Sequence, residues 1–412
     1  VHVQILYLGI KNQNPFDFSQ WNFPEDRIWL RIPEWEIIVK ICTFIPLIVF
    51  GLFGNLIILR LIMLNRSLRT PTNLIIANMA FADFLSLLIC PALFMVNDFY
   101  QNYKLGCIGC KMEGFLEATF LMTAVLNLSI VSYDRLTAIV LPSETRLTIR
   151  GTKVVIVLTW LAGALIALPL AIYRYYRVRQ WKNFREMYCK ENLNILPKYW
   201  YVLITVLVWL PLGVMLICYT GIFYKLDRYE KRVLNREHPL TVSYKRAVAR
   251  TLFIVVIVFV ALRLPFTLLV ILREKIITPN NNMVNSSFRI FSYISQYLMF
   301  VNAAVNPLIY GFNNDNFRRA YDQTPLFRCF QNRDINGTNP TRVSMFFVKV
   351  VLCCFIIFQK FSAYVITRTT KISEGHPRIP SRETKLNESL GTIKFFAAEQ
   401  LEQRPDLSEG FI

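Results

Sequence analysis

The chain has 412 residues, 54% of them hydrophobic and only 18% charged, and its formal net charge is +19. So apolar a chain does not fold in water, and the totals point to a helical membrane protein. Nucleic-acid binding is not the reading of the positive charge, because no DNA- or RNA-binding module is recognisable and basic loops mark the cytoplasmic side of a membrane protein. Nine scattered cysteines and three histidines offer no metal-ligand spacing.

Residues 1–36 mix aromatic residues with both charges and read as an extracellular tail. The chain starts at Val1 without a clean signal-peptide pattern, so either the true start lies upstream or the first span is its own insertion signal. That span runs over about 37–63, uncharged from Ile41 to Leu59, with Gly54-Asn55 inside it. Arg60, Arg66 and Arg69 then place the next loop on the cytoplasmic side. The second span, Asn73 to Val96, is apolar apart from Asp83. A carboxylate in mid-membrane marks a functional site, or else a neutral, hydrogen-bonded structural group.

The third span, Cys110 to Leu141, carries an acid near each end: Glu117 lies seventeen residues before Asp134. At about 1.5 Å per residue that is roughly 25 Å, close to the hydrocarbon thickness of a bilayer, so one helix connects the two faces. Asp134-Arg135 stands where the apolar run gives way to the basic loop 141–153. The fourth span, Val154 to Tyr173, holds Trp160. The loop from Arg174 to Lys198 has seven Lys or Arg residues against Glu186 and Glu191, although the span count places it outside. The fifth span, Tyr199 to Tyr224, is uncharged and contains Pro211 and Tyr219, and a basic loop from Lys225 to Arg250 follows.

In the sixth span, from about Thr251 to Leu272, Arg263 is the one mid-span charge, two residues before Pro265. The seventh, Phe288 to Phe312, contains Gln296, Asn302, Asn306, Pro307 and Tyr310, and Asn285 ahead of it opens a glycosylation sequon. In 313–330, Phe317 and Tyr321 lie four apart beside Arg318 and Arg319, which suits a short amphipathic helix on the inner membrane surface, with Cys329 as a lipidation site. Residues 331–412 read as a cytoplasmic tail with an apolar stretch at 343–366. Its longest uncharged run is too short to span, so an interfacial helix, an eighth crossing and an unstructured stretch all stay open.

One motif per span, in order, carries a resemblance. Gly54-Asn55, Ala82-Asp83, Cys110 with Asp134-Arg135, Trp160, Pro211 with Tyr219, Pro265, and Asn306-Pro307-Leu308-Ile309-Tyr310 resemble the rhodopsin-like G-protein-coupled receptors over about 37–330. The resemblance implies an all-α membrane protein: a seven-transmembrane helix bundle over 37–312 and an amphipathic eighth helix over 313–330. It implies a multi-pass plasma-membrane receptor, not an enzyme, without a cofactor. Its partners would be an extracellular ligand, the lipid bilayer and a heterotrimeric G protein, with arrestin and a receptor kinase beside it. Cys110 and Cys189 would bridge and pin the loop over the bundle mouth. Arg135 would be held by Asp134 when inactive and released toward Tyr219 and Tyr310 when active, a change of partner that suits a permanently charged guanidinium. Pro211, Pro265 and Pro307 would kink their helices.

Asn55, Asp83, Asn302 and Asn306 resemble the family's buried polar network, which often holds sodium. Ala124 stands where the family commonly offers a hydroxyl, so sodium is doubtful here and a water-filled polar seam is the other reading. The larger departure is Arg263, at the place of the usual tryptophan on the pocket floor. Glu117 matches the acid of amine receptors, and an intramembrane Glu117–Arg263 pair is expected to line the ligand pocket with Gln296, each charge finding water or a carbonyl separately being the alternative. Retinal is excluded by the absence of a lysine from Phe288 to Phe312, and an amine is disfavoured by a fifth span without serine. A peptide suits the large basic loop, and residues 306–321 are similar to neuropeptide receptors of the RFamide and neuropeptide FF type. An orphan or constitutively active receptor stays open. A transporter lacks support, since no paired repeats or rings of like charge appear.

Overall fold

Each predicted span is a helix in the computed structural model, which describes residues 18–23, 32–100, 102–140, 147–192, 194–233, 239–276 and 286–313. Helix α1 is Glu34–Leu64, α2 Pro71–Phe99, α3 Gly106–Val140 and α4 Ile149–Ile172. Helix α5 is continuous through Leu196–Val202, a π-helical Leu203–Trp209 and Leu210–Val233, while α6 is Pro239–Ile276 and α7 Ser286–Asn313. Sequential helices pack side by side except α4 and α5, α5 lying instead against α3 and α6, and α7 returns against α1 and α2. The expected lipidation of Cys329, the Asn285 sequon, the expected amphipathic helix over 313–330 and the 331–412 tail lie outside the described residues, apart from Asn313.

The helices overrun their apolar spans, because backbone hydrogen bonding does not stop where hydrophobicity does. The predicted loop 225–250 is helical on both sides of 234–238. The starts of α2 and α4 are set by capping: Thr70 accepts from the Asn73 amide and Thr148 from the Gly151 amide. The π-helical segment in α5 ends two residues before Pro211, whose ring displaces the carbonyl in the turn that precedes it and so widens that turn.

Six helical stretches, in α1 to α6, are long and apolar enough to cross a bilayer. Helix α7 falls short on hydropathy because its polar side chains are spent inside the bundle: Ser292, Ser295, Asn302 and Asn306 are all buried. Helix α4 shows the opposite bias, with Val157, Leu161 and Leu165 exposed along an apolar outer face. Such a surface is stable in lipid, not in water.

Buried amides register the helices. Asn78 on α2 donates to Asn127 of α3 at 3.1 Å and accepts from the Trp160 indole of α4 at 2.8 Å. Asn55 on α1 donates to the Ala303 carbonyl of α7 at 3.0 Å. The α1–α7 seam also needs Gly51, where an added Cβ would lie 2.4 Å from Leu87 and 2.9 Å from Ala304. Asn78→Ala is expected to cost about 1–3 kcal/mol by stranding Asn127 and Trp160, and a lowered thermal midpoint of the detergent-solubilised chain checks it.

Candidate functional site

The basic loop after α4 is not irregular. It forms an antiparallel hairpin of β1, Arg174–Gln180, and β2, Arg185–Glu191, in the register Arg174 with Glu191 through Gln180 with Arg185. This is the one departure from an all-helical fold among the described residues. Residues alternate between its faces, so Arg174, Tyr176, Met187 and Cys189 share one side, and Tyr175, Arg177, Tyr188 and Lys190 the other.

Three ties fasten the hairpin to the bundle mouth, and a further contact joins its tip to the N-terminal segment. Cys189 and Cys110 form a disulfide with Cα atoms 5.5 Å apart. The Asn102 side chain mimics a strand edge, accepting from the Met187 amide at 2.6 Å and donating to the Arg185 carbonyl at 3.2 Å. The Tyr103 amide donates to the Met187 carbonyl at 2.9 Å. At the tip, Phe23 packs between Trp181 and Phe184 and its amide donates to Asn183 Oδ1 at 2.7 Å.

Arg174 carries the hairpin's charge inward. Its guanidinium meets Glu191 at 2.6 Å and lies against Gly114 of α3, where a Cβ would be 2.5 Å from Nη1. Burial alone would pull this guanidinium's pKa down, but Glu191 and Glu113 outweigh it and hold it above the ordinary value. Burial, and then Glu113, push the Tyr103 phenol up. Glu113 accepts from the Asn97 amide and from Tyr103 at 3.5 Å. Gly114→Val is therefore expected to displace Arg174 and lose a charge-assisted bond of about 1.5–3 kcal/mol. Amide exchange in β1 and β2 should then quicken about ten- to a hundred-fold, read by hydrogen–deuterium exchange.

One turn below Glu113, Glu117 lines an internal cavity with Asp83, Ser86, Phe120, Ala124 and Arg263. The expected Glu117–Arg263 ion pair is not made. Both residues reach the cavity, yet Glu117 Oε1 and Arg263 Nε and Nη1 are buried without hydrogen-bond partners. The reason lies in the rotamer: the guanidinium leans back along α6 onto the Phe259 ring, 5.3 Å from its centroid. Gln296 Oε1 is likewise buried and unpartnered. The four polar residues are not one chain of hydrogen bonds. Asn306 donates to Asp83 at 2.7 Å and Asn55 to the Ala303 carbonyl, while Asn302 Oδ1 has no partner. Pro307 packs against Gly54, where an added Cβ would be 3.1 Å away.

At the far end of α3, Arg135 Nη2 meets Asp134 Oδ2 at 2.5 Å and also donates to Thr72. Thr72 donates to the same carboxylate oxygen at 2.7 Å. Asp134 therefore sits at the amide-rich start of α2, where a helix favours negative charge. Tyr219 is buried and bonded to Ser132 at 3.1 Å instead of to Arg135, and the Tyr310 side chain lies outside the described residues.

A profile described as 7 transmembrane receptor (rhodopsin family) matches residues 54–310, more than half of the chain. The chain belongs to the rhodopsin family of seven-transmembrane receptors. It is thus a multi-pass membrane receptor. Neuropeptide FF receptor 2 of Mus musculus is 26% identical over 319 residues, covering 74% of this chain and 76% of its own. Neuropeptide Y receptor type 2 of Homo sapiens is 28% identical over 308 residues, covering 72% and 78%.

Sequence reading missed several residues that make contacts between elements of this rhodopsin-family receptor. Lys40 of α1 is buried, 2.6 Å from Asp98 of α2 and 2.8 Å from Glu36, with its ammonium 4.6 Å above the Tyr293 ring of α7. The Glu36–Lys40 spacing of four residues was the signal. Glu113 had one too, four residues before Glu117. Thr72 and Asn78 had none, since their partners come from other helices.

Proposed function

We propose that the chain is a plasma-membrane receptor for an extracellular neuropeptide that activates heterotrimeric G proteins. The observation that carries this reading is the hairpin, fastened over the mouth of a bundle whose third helix joins Glu113 and Glu117 below it to Arg135 at the far end. Its relatives include receptors named for neuropeptide FF and neuropeptide Y. The hairpin end is taken as extracellular and the Arg135 end as cytoplasmic, in line with Arg60, Arg66, Arg69, Arg150 and Lys153 gathered at the latter.

The two hairpin faces offer a polymer more contact than a small amine needs. Exposed Arg177, Lys182, Arg185 and Lys190 form a cationic rim, because Glu186 and Glu191 are already spent on Arg179 and Arg174. Acidic parts of a peptide would meet this rim, while a basic or amide group would descend to Glu117, with Arg263 and Gln296 as the pocket's other unmade contacts. Arg135, held by Asp134 and Thr72, is the G-protein switch, with Tyr219, Asn306, Pro307 and Tyr310 as the elements that rearrange around it. Arrestin and a receptor kinase would follow activation, with a glycan at Asn285 and a lipid at Cys329.

The test is nucleotide exchange on G protein in membranes from cells expressing the full chain, challenged with a neuropeptide panel. A saturable response is expected from at least one peptide, and Glu117→Gln should weaken its potency by about tenfold or more, the loss of one charged hydrogen bond. A response confined to amines, or none to any peptide, would contradict the reading.

A further inference from the structure

Membership of this family implies a monovalent cation in the polar space between α2, α3 and α7, and the residues of this chain do not fit one. Asp83 Oδ2 is engaged by the Asn306 amide at 2.7 Å, which leaves Oδ1 as its open oxygen. Ala124 presents a methyl group to the cavity where the resemblance calls for a hydroxyl. With that Asp83 oxygen, Ser86 and Glu117 are the cavity's remaining side-chain donors, short of the shell of oxygens that a hard cation takes up. No cluster of three or more acidic, histidine or cysteine residues suited to a metal exists among the described residues.

The decisive group is Arg263. It lines the same cavity as Asp83 and Glu117, it is permanently charged, and its Nε and Nη1 have no protein partner. A guanidinium fixed inside a low-dielectric space repels a second cation and supplies the charge that two carboxylates require. Its Phe259 stack holds it there without consuming either of those donors.

We propose that Arg263 is the cavity's tethered counter-cation, standing in for a diffusible sodium ion, and that the receptor is consequently insensitive to sodium. A device that other sequences regulate by ion binding and release is here covalently part of α6. Its charge then moves only when α6 moves, so the response is tied to helix rearrangement and not to the ionic composition around the cell.

The experiment measures the thermal midpoint of the full detergent-solubilised chain in sodium chloride and in choline chloride at equal ionic strength. No peptide is needed, so its outcome is separate from that of the ligand proposal. The wild-type midpoint should be the same in both salts. Ala124→Ser/Arg263→Gln, which removes the tethered charge and restores a hydroxyl, should gain a sodium-specific rise of about 2–4 °C, as expected for a newly occupied site. Arg263→Lys, which keeps a tethered cation, should stay insensitive even if the double variant folds poorly. A sodium-specific rise in the wild type or in Arg263→Lys would overturn the proposal, as would a well-folded double variant that gains none.

Discussion

Asp134→Asn is expected to raise ligand-independent G-protein activation by about ten- to a hundred-fold. In the structure one carboxylate oxygen holds both Arg135, at 2.5 Å, and Thr72, at 2.7 Å, and thereby ties the end of α3 to the start of α2. Only 9% of the Asp134 side chain is exposed, so solvent screens the attraction little. A charge-assisted bond of this kind contributes about 1.5–3 kcal/mol, and each 1.4 kcal/mol is tenfold in the balance between held and released arginine. An asparagine keeps the shape and removes the charge. Thr72→Ala should act in the same direction but less, because it removes the hydroxyl's bonds to Asp134 and Arg135 and leaves the Arg135–Asp134 pair itself in place. Basal nucleotide exchange at matched surface expression checks both, and an Asp134→Asn receptor as quiet as wild type would mean that the pair does not restrain Arg135.

The second large effect is expected from Cys189→Ser. The bond closes a loop of 79 residues, for which chain entropy alone gives about 4–5 kcal/mol, with 2–5 kcal/mol the usual cost of losing a native bridge. Asn102, Tyr103 and Arg174 would still hold the hairpin, so the fold should survive with a loosened mouth. Peptide affinity should fall by about tenfold or more, and surface expression should drop. Cys110→Ser should match it, and the double variant should be no worse than either single one, because one shared bond is lost in all three. Additive losses would show that the cysteines act separately.

The seven helices were legible because uncharged runs of span length admit few other structures, and the basic residues between them fixed their alternation. Arg135 was legible for the same reason, as a charge at an apolar boundary. The hairpin was not. RYYRVRQ and REMYCKE mix charged residues with a few aromatics, a pattern without the apolar face that announces a strand, and what holds them is a disulfide to α3 and the loop between α2 and α3. The cavity was half legible: Glu117 and Arg263 announce themselves as mid-span charges, but whether they touch depends on a rotamer that Phe259 decides. Asn78 and Thr72 look like ordinary polar residues near an apolar run until α3 and α4 arrive beside them. In α7 the buried serines and asparagines lower the hydropathy of a helix that is nonetheless interior to the bundle.

The most direct test of the central claim, that a peptide bound under the hairpin releases Arg135 at the other end of α3, is peptide-stimulated nucleotide exchange in wild type beside Arg135→Ala. With surface expression and peptide binding verified for both, the account predicts stimulated exchange in the wild type and none above background in Arg135→Ala. Equal stimulation in the two would contradict it, because the signal would then reach the G protein without the residue on which the mechanism depends.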